Sequence, residues 1–234
     1  MTWRLKPHLL AYFNFEEGQG NVVRDITGRN HDGTLHGNAH FTADSNKAGG
    51  KYAIRFDGNG DYVQALETNF PMGSSPRTMM AWVRKDQQDC HFLMYGRQDR
   101  LAGFSLAECE YCTHISQRKQ ARCPLPNTDD AIATLTARTG GNAWRFDLWA
   151  YDENCDGQFN GCSGGRCGDC GRHGAENQQW THVAIAYGPG NYWKGFVNGR
   201  CTREYRGHEE AHTRAGNGFR MGGQVSGGES SSHA

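Results

Sequence analysis

The chain has 234 residues, enough for one large domain or two small ones, and its 25 Lys plus Arg balance its 25 Asp plus Glu. With no basic block and no interleaving of basic and aromatic residues, this pattern excludes the footprint of a nucleic-acid-binding protein. The longest apolar runs, "HLLAYFNF" and "TMMAWV", fall far short of the roughly 20 residues a bilayer span requires, and the opening "MTWRLKPHLLAYFNF" reads as lacking a secretory leader.

Short segments rich in β-branched and aromatic residues, separated by Gly, Asn and Asp turns, run through the whole chain. None holds a sustained 3.6-residue apolar period, so the fold is read as all-β. In chain order the predicted strands are 8–15, 52–58, 61–66, 77–85, 91–97, 101–108, 131–138, 144–152, 180–188, 192–200 and 218–223. Gly58, Asn59 and Gly60 supply residues that tolerate positive φ between two of these strands, which predicts a hairpin of 52–58 with 61–66. Asn198-Gly199 in "FVNGRC" is the strongest short hairpin signal in the chain. Antiparallel pairing of many short strands predicts a two-sheet sandwich. One domain is read over residues 1–223, followed by a flexible tail, 224–234, that has little to bury.

Two polar, turn-rich segments, 108–130 and 152–179, interrupt the strands and hold seven of the nine cysteines. Loops longer than about 12–15 residues need crosslinks or metal if they are to be ordered. The pairs Cys109-x2-Cys112 and Cys167-x2-Cys170, with His114 and His173 as substitutes, could furnish a tetrahedral zinc site. The 54 residues between Cys112 and Cys167 exceed a zinc-ribbon spacing, so the fold would have to bring the pairs together. The competing reading is a set of disulfides, each closing a loop for about 2–4 kcal/mol. The odd cysteine count then leaves at least one thiol outside any intramolecular set. Within the second loop, Asp152, Asn154, Asp156 and Gly157 match the opening of an EF-hand-type calcium loop. Ser163 occupies the twelfth position, where a bidentate Glu belongs, which leaves a weak calcium loop or a solvated Asx-rich turn.

The blocks "LAYFNFEEGQGNVVRDITGRNHDGTLHG" (10–37), "AIRFDGNGDYVQA" (53–65), "RTMMAWVRK" (77–85), "WTHVAIAYGPGNYWKGFVNGR" (180–200) and "FRMGG" (219–223) occur in series over most of the chain. In order and spacing they resemble the laminin-G-like, concanavalin-A-like lectin and glucanase jelly rolls. The resemblance implies two curved antiparallel sheets and a carbohydrate- or protein-binding module of surface proteins, often with one structural calcium. By that resemblance Glu17, Asp25 and Asn30 are the calcium candidates; the plainer role for Asp25 is to hydrogen-bond the turn that Gly28 closes. The family continues past "FRMGG" with an acidic strand, whereas here "QVSGGESSSHA" follows. That departure predicts an open sheet edge, or one filled by a partner. The extracellular character of the family favours disulfides over zinc and an extracellular or secretory-lumen location, with calcium or zinc as the cofactors to consider.

A glycosidase on this fold needs two carboxylates flanking the scissile bond. Asp147 and Asp152 in "WRFDLWAYD" fall on opposite faces of a strand, and Glu67 stands alone. No G-x-S-x-G, P-loop or H-E-x-x-H motif occurs, and "HEEAH" (208–212) sits between loop-like flanks. A non-enzymatic recognition module is therefore expected, adhesion-like, with a glycan or protein as partner. Aromatic faces stack on sugar rings, and Trp149, Tyr151, Tyr192 and Trp193, placed at strand ends beside a loop or hairpin, are the ligand-binding candidates. By the resemblance Trp82 and Trp180 are core positions. The rival reading is a structural subunit docked in a larger assembly through its open C-terminal edge, its loops zinc-bound.

Overall fold

The structure is a computed structural model and describes residues 8–45, 50–84, 91–97, 103–108, 135–138, 179–206, 211–216 and 218–222. Among these residues every regular element is a strand: β1 (Val22–Val23), β2 (Gly33–His36), β3 (His40–Thr42), β4 (Ala53–Arg55), β5 (Tyr62–Ala65), β6 (Arg77–Val83) and β7 (His91–Gly96). The chain continues with β8 (Gly103–Glu108), β9 (Leu135–Arg138), β10 (Thr181–Gly188), β11 (Tyr192–Val197), β12 (Arg200–Arg206) and β13 (Phe219–Met221). One sheet has the order β1-β2-β5-β13-β7-β8-β9 and a second the order β12-β11-β10-β6, while β3 and β4 form a separate pair. All pairings of named strands are antiparallel.

The two larger sheets meet in one core, as the all-β sandwich reading requires. Val63, Tyr95, Phe104, Leu106 and Phe219 from the seven-stranded sheet cluster with Met79, Val83, Val183, Ile185, Tyr187 and Trp193 from the four-stranded one. Trp193 ties the layers together: its ring stacks on Phe104 at 5.5 Å and tilts against Tyr187 at 4.7 Å. Arg77 ends the same stack, its guanidinium 4.6 Å above Phe104 and donating to the carbonyls of Pro71 and Gly73 at 2.7 and 2.8 Å.

The Asn198-Gly199 turn joins β11 to β12, with both residues at positive φ (49° and 77°), so the predicted 192–200 strand ends at Val197 and a second strand starts at Arg200. Three expectations are corrected. Residues 8–15 form no strand: among the described residues their β-pairing is the isolated Phe13–Asp25 bridge, and they are otherwise held by hydrogen bonds to the Asp25–Thr27 turn. Phe15 turns the chain there by taking φ 60°. Strands 52–58 and 61–66 do not pair with each other. β4 joins β3, and β5 joins β2 and β13. The reason is Asp61, buried, whose carboxylate accepts from the Asn38 and Asp57 backbone amides and locks the Gly58–Gly60 turn as a crossing between sheets. Finally, β13 pairs with β5 on one side and β7 on the other, so no open edge forms at the C-terminal strand. The predicted strand 144–152 and the tail 224–234 lie outside the described residues.

Candidate functional site

The N-terminal turn concentrates acidic side chains, and most of that chemistry is turned inward. Asp25 is buried, and its Oδ1 accepts from the Tyr12 amide (3.1 Å), the Thr27 amide (3.0 Å) and the Thr27 hydroxyl (2.7 Å). Its Oδ2 accepts from the His31 amide (3.3 Å) and faces His31 Nδ1 at 2.8 Å. Burial raises the Asp25 pKa, but the Thr27, Tyr12 and His31 hydrogen bonds outweigh it and hold the carboxyl below its ordinary range. His31, also buried, reaches the Thr68 carbonyl through Nε2 at 2.8 Å, which stitches the turn to the segment after β5. Both ring nitrogens therefore have an oxygen within hydrogen-bond distance.

This is the turn-holding role for Asp25, not an open ligand position. Of the other two calcium candidates, Glu17 accepts from the Arg24 amide through Oε1 at 2.9 Å while its Oε2 is buried without a protein partner, and Asn30 sits at φ 65°. Among the described residues no three His, Cys, Asp or Glu side chains converge as a metal site. Asp152, Asn154, Asp156, Cys109, Cys112, Cys167 and Cys170 lie outside the described residues, as do the ligand candidates Trp149 and Tyr151. Cys201, the one cysteine among the described residues, is disulfide-bonded.

The aromatic pair Tyr192 and Trp193 is divided by strand parity. Successive side chains of a strand point to opposite faces; Trp193 is fully buried, and Tyr192 is 37% exposed with the Lys194 ammonium 5.5 Å from its ring. The expectation that Trp193 offers its ring to a ligand is thus corrected, since that ring is enclosed by Phe104 and Tyr187.

Its place on the surface is taken by Trp82, expected in the core and found 44% exposed. Along β6, Arg77, Met79 and Val83 face inward while Thr78, Met80 and Trp82 face out. Register extends this outer face across the sheet, setting His182 beside Trp82 and Ala184 beside Met80, with Phe196 next on β11. The Trp82 and His182 rings meet edge-on at 5.3 Å, and burial lowers the His182 pKa, which favours the neutral ring. Met80 is 57% exposed. The outer face is thus a band of apolar and aromatic surface running from the β6 edge toward Tyr192, with imidazole and ammonium groups set into it.

The sequence signal for Trp82 was weak because β6 is apolar at both parities. The partner strand carried the missing information: a histidine opposite Trp82 marks the wet side.

No family model matches the chain, and no curated protein matches it either. Among solved structures, the chain is similar to domain 4 of AbnA, a GH43 extracellular arabinanase from Geobacillus stearothermophilus, in complex with arabinotriose. The TM-score is 0.56 at 15% sequence identity, over 92% of this chain and 82% of that one. At that identity the likeness establishes the fold: an all-β sandwich of antiparallel sheets.

Proposed function

We propose that this chain is a non-enzymatic recognition module whose ligand is a glycan, held on the outer face of the four-stranded sheet. The observation that carries the reading is the half-exposed Trp82 ring, flanked by Met80 and His182 on a regular sheet that costs nothing to order when ligand arrives. A flat indole face packs against the C–H face of a sugar ring, and neighbouring polar groups such as His182 and Lys194 fix orientation through hydroxyls. The likeness to a domain seen with arabinotriose supports the same ligand class. The disulfide at Cys201 accords with an oxidising compartment, and we place the module outside the cell or in the secretory lumen.

The test is a glycan array followed by titration calorimetry with arabinotriose and the best array hits, using the natural chain and Trp82→Ala. Binding weakened about tenfold or more in the variant is expected, with circular dichroism unchanged. An array without hits, or a variant that binds as the natural chain does, would sink the proposal. A second reading, docking into a larger assembly, draws on the place of β6 at an end of its sheet among the described residues, with Met80 and Trp82 exposed. Sedimentation velocity separates the two: self-association lost in Trp82→Ala would favour docking.

A further inference from the structure

The outer face of the four-stranded sheet has relief as well as aromatic surface. On β10, Val183, Ile185 and Tyr187 point into the core, so alternation turns His182, Ala184, Ala186 and Gly188 outward. Beyond His182 these positions carry no more than a methyl group. The strands on either side present longer groups to the same face. Register sets Trp82 beside His182, Met80 beside Ala184 and Thr78 beside Ala186 on the β6 side. On the β11 side it sets Phe196 beside Ala184, Lys194 beside Ala186 and Tyr192 beside Gly188. β10 is therefore the floor of a trough whose flanks are β6 and β11.

Exposure follows this relief. Met80 is 57% exposed, while Ala184 beside it faces the same way and is 4% exposed, as a methyl set between longer neighbours is. A Cβ added at Gly188 meets nothing within 4 Å, so the floor opens out at that end. From His182 to Gly188 the floor runs six residue steps (188 − 182), about 20 Å at the rise of a strand. β6 and β11 lie two inter-strand steps apart, about 10 Å. A site long in one direction and narrow in the other fits a chain laid lengthwise. The outward positions of these three strands hold one formal charge, Lys194, and register sets Glu204 of β12 opposite it, so this face does not select an ion.

We infer that the trough along β10 holds an unbranched, neutral oligosaccharide lengthwise, one sugar ring on Trp82 and the following rings over Ala184, Ala186 and Gly188. The inference rests on the glycan reading of this face and adds the shape of the ligand. A branch on the ring above Ala184 would run into Met80 on one side or Phe196 on the other.

Calorimetric titration of the whole chain with two linear series, arabinobiose to arabinohexaose and cellobiose to cellohexaose, tests it. In one series at least, affinity should rise about tenfold or more from the biose to the tetraose and then level off. Gly188→Leu, which fills the open end of the floor, should remove that gain and leave biose affinity and the urea midpoint unchanged. A counterpart of the best-bound oligomer with one extra sugar on an internal residue should bind about tenfold or more weakly. Equal affinity for biose and hexaose, no binding in either series, full hexaose affinity in Gly188→Leu, or equal binding of the branched oligomer would each overturn the inference. The length series needs only the natural chain, so it decides even where the variant does not fold. Binding lost in Trp82→Ala but indifferent to chain length and to Gly188→Leu would leave the Trp82 site standing and remove the trough; binding weakened by Gly188→Leu and untouched by Trp82→Ala would do the reverse.

Discussion

The Asp25 turn and the Trp82 face are both rich in the residue types that function uses, and they differ in what those residues touch. Around Asp25, two carboxylate oxygens meet five donors from Tyr12, Thr27 and His31, so the acid serves the fold. On the outer face of β6 and β10, Trp82 and Met80 keep much of their surface in water although each stands on a regular strand. A carboxylate whose lone pairs are committed to backbone amides offers little to a ligand; an indole held half-open by strand geometry offers a whole ring face. Residue type nominates a site, and the state of its hydrogen bonds and surface decides.

If this contrast holds, perturbing inward groups should cost stability and perturbing outward ones should cost binding. The largest stability effect is expected at Trp193. Trp193→Ala empties a fully buried position between Phe104 and Tyr187 and should destabilise by about 3–5 kcal/mol in urea unfolding. Tyr192→Ala, one residue away on the opposite face, should cost less than about 1 kcal/mol. Equal losses at the two positions would break the parity argument.

Next comes Asp25. Asp25→Ala strands the buried His31, breaks the partly buried Tyr12 and Thr27 hydrogen bonds and should cost about 3 kcal/mol, as breaking one side of a buried pair does. Its folded pKa lies below the unfolded value of about 3.9. The carboxylate therefore contributes stability that is fully present above that pH and is lost as pH falls through the folded value. Unfolding followed from pH 6 to pH 2, in roughly unit steps spanning this range, should show a shallower acid limb in Asp25→Asn than in the natural chain. A limb of unchanged slope would remove Asp25 from the acid response. A smaller effect, about 1 kcal/mol, is expected for Gly199→Ala: an added Cβ meets nothing within 4 Å, so the cost is the φ of 77° alone.

Much of the fold was legible because β10, β11 and the Asn198-Gly199 turn combine apolar alternation with a turn that admits one geometry. Residues 8–15 misled because an apolar run shows burial without showing who pairs with it; Leu10, Ala11, Phe13 and Phe15 do pack against the core, but from a non-strand segment. The Gly58–Gly60 turn takes the positive φ its residues allow, yet the Asp61 hydrogen bonds, long-range and invisible to a local pattern, make it a crossing instead of a hairpin. At the candidate site, one tryptophan was exchanged for another. A one-residue change of parity swaps inside for outside, and neither "YWKGFV" nor "TMMAWV" declares its parity alone.

Trp82 tests the contrast where the expected stability change is smallest. Its ring leans on His182 and stands beside Met80, so Trp82→Ala removes a half-exposed aromatic from a strand and no core contact of the kind Trp193 makes. The stability change should stay below about 1 kcal/mol, while glycan affinity drops about tenfold or more. Trp82→Phe, which keeps a smaller ring face, should recover part of the affinity. An exposed ring retained only for packing would behave oppositely: stability would fall, ligand affinity measured on the folded fraction would hold, and phenylalanine would restore the unfolding midpoint. The calorimetric ranking of the natural chain, Trp82→Phe and Trp82→Ala, set beside their urea midpoints, therefore separates a binding surface from an incompletely covered core.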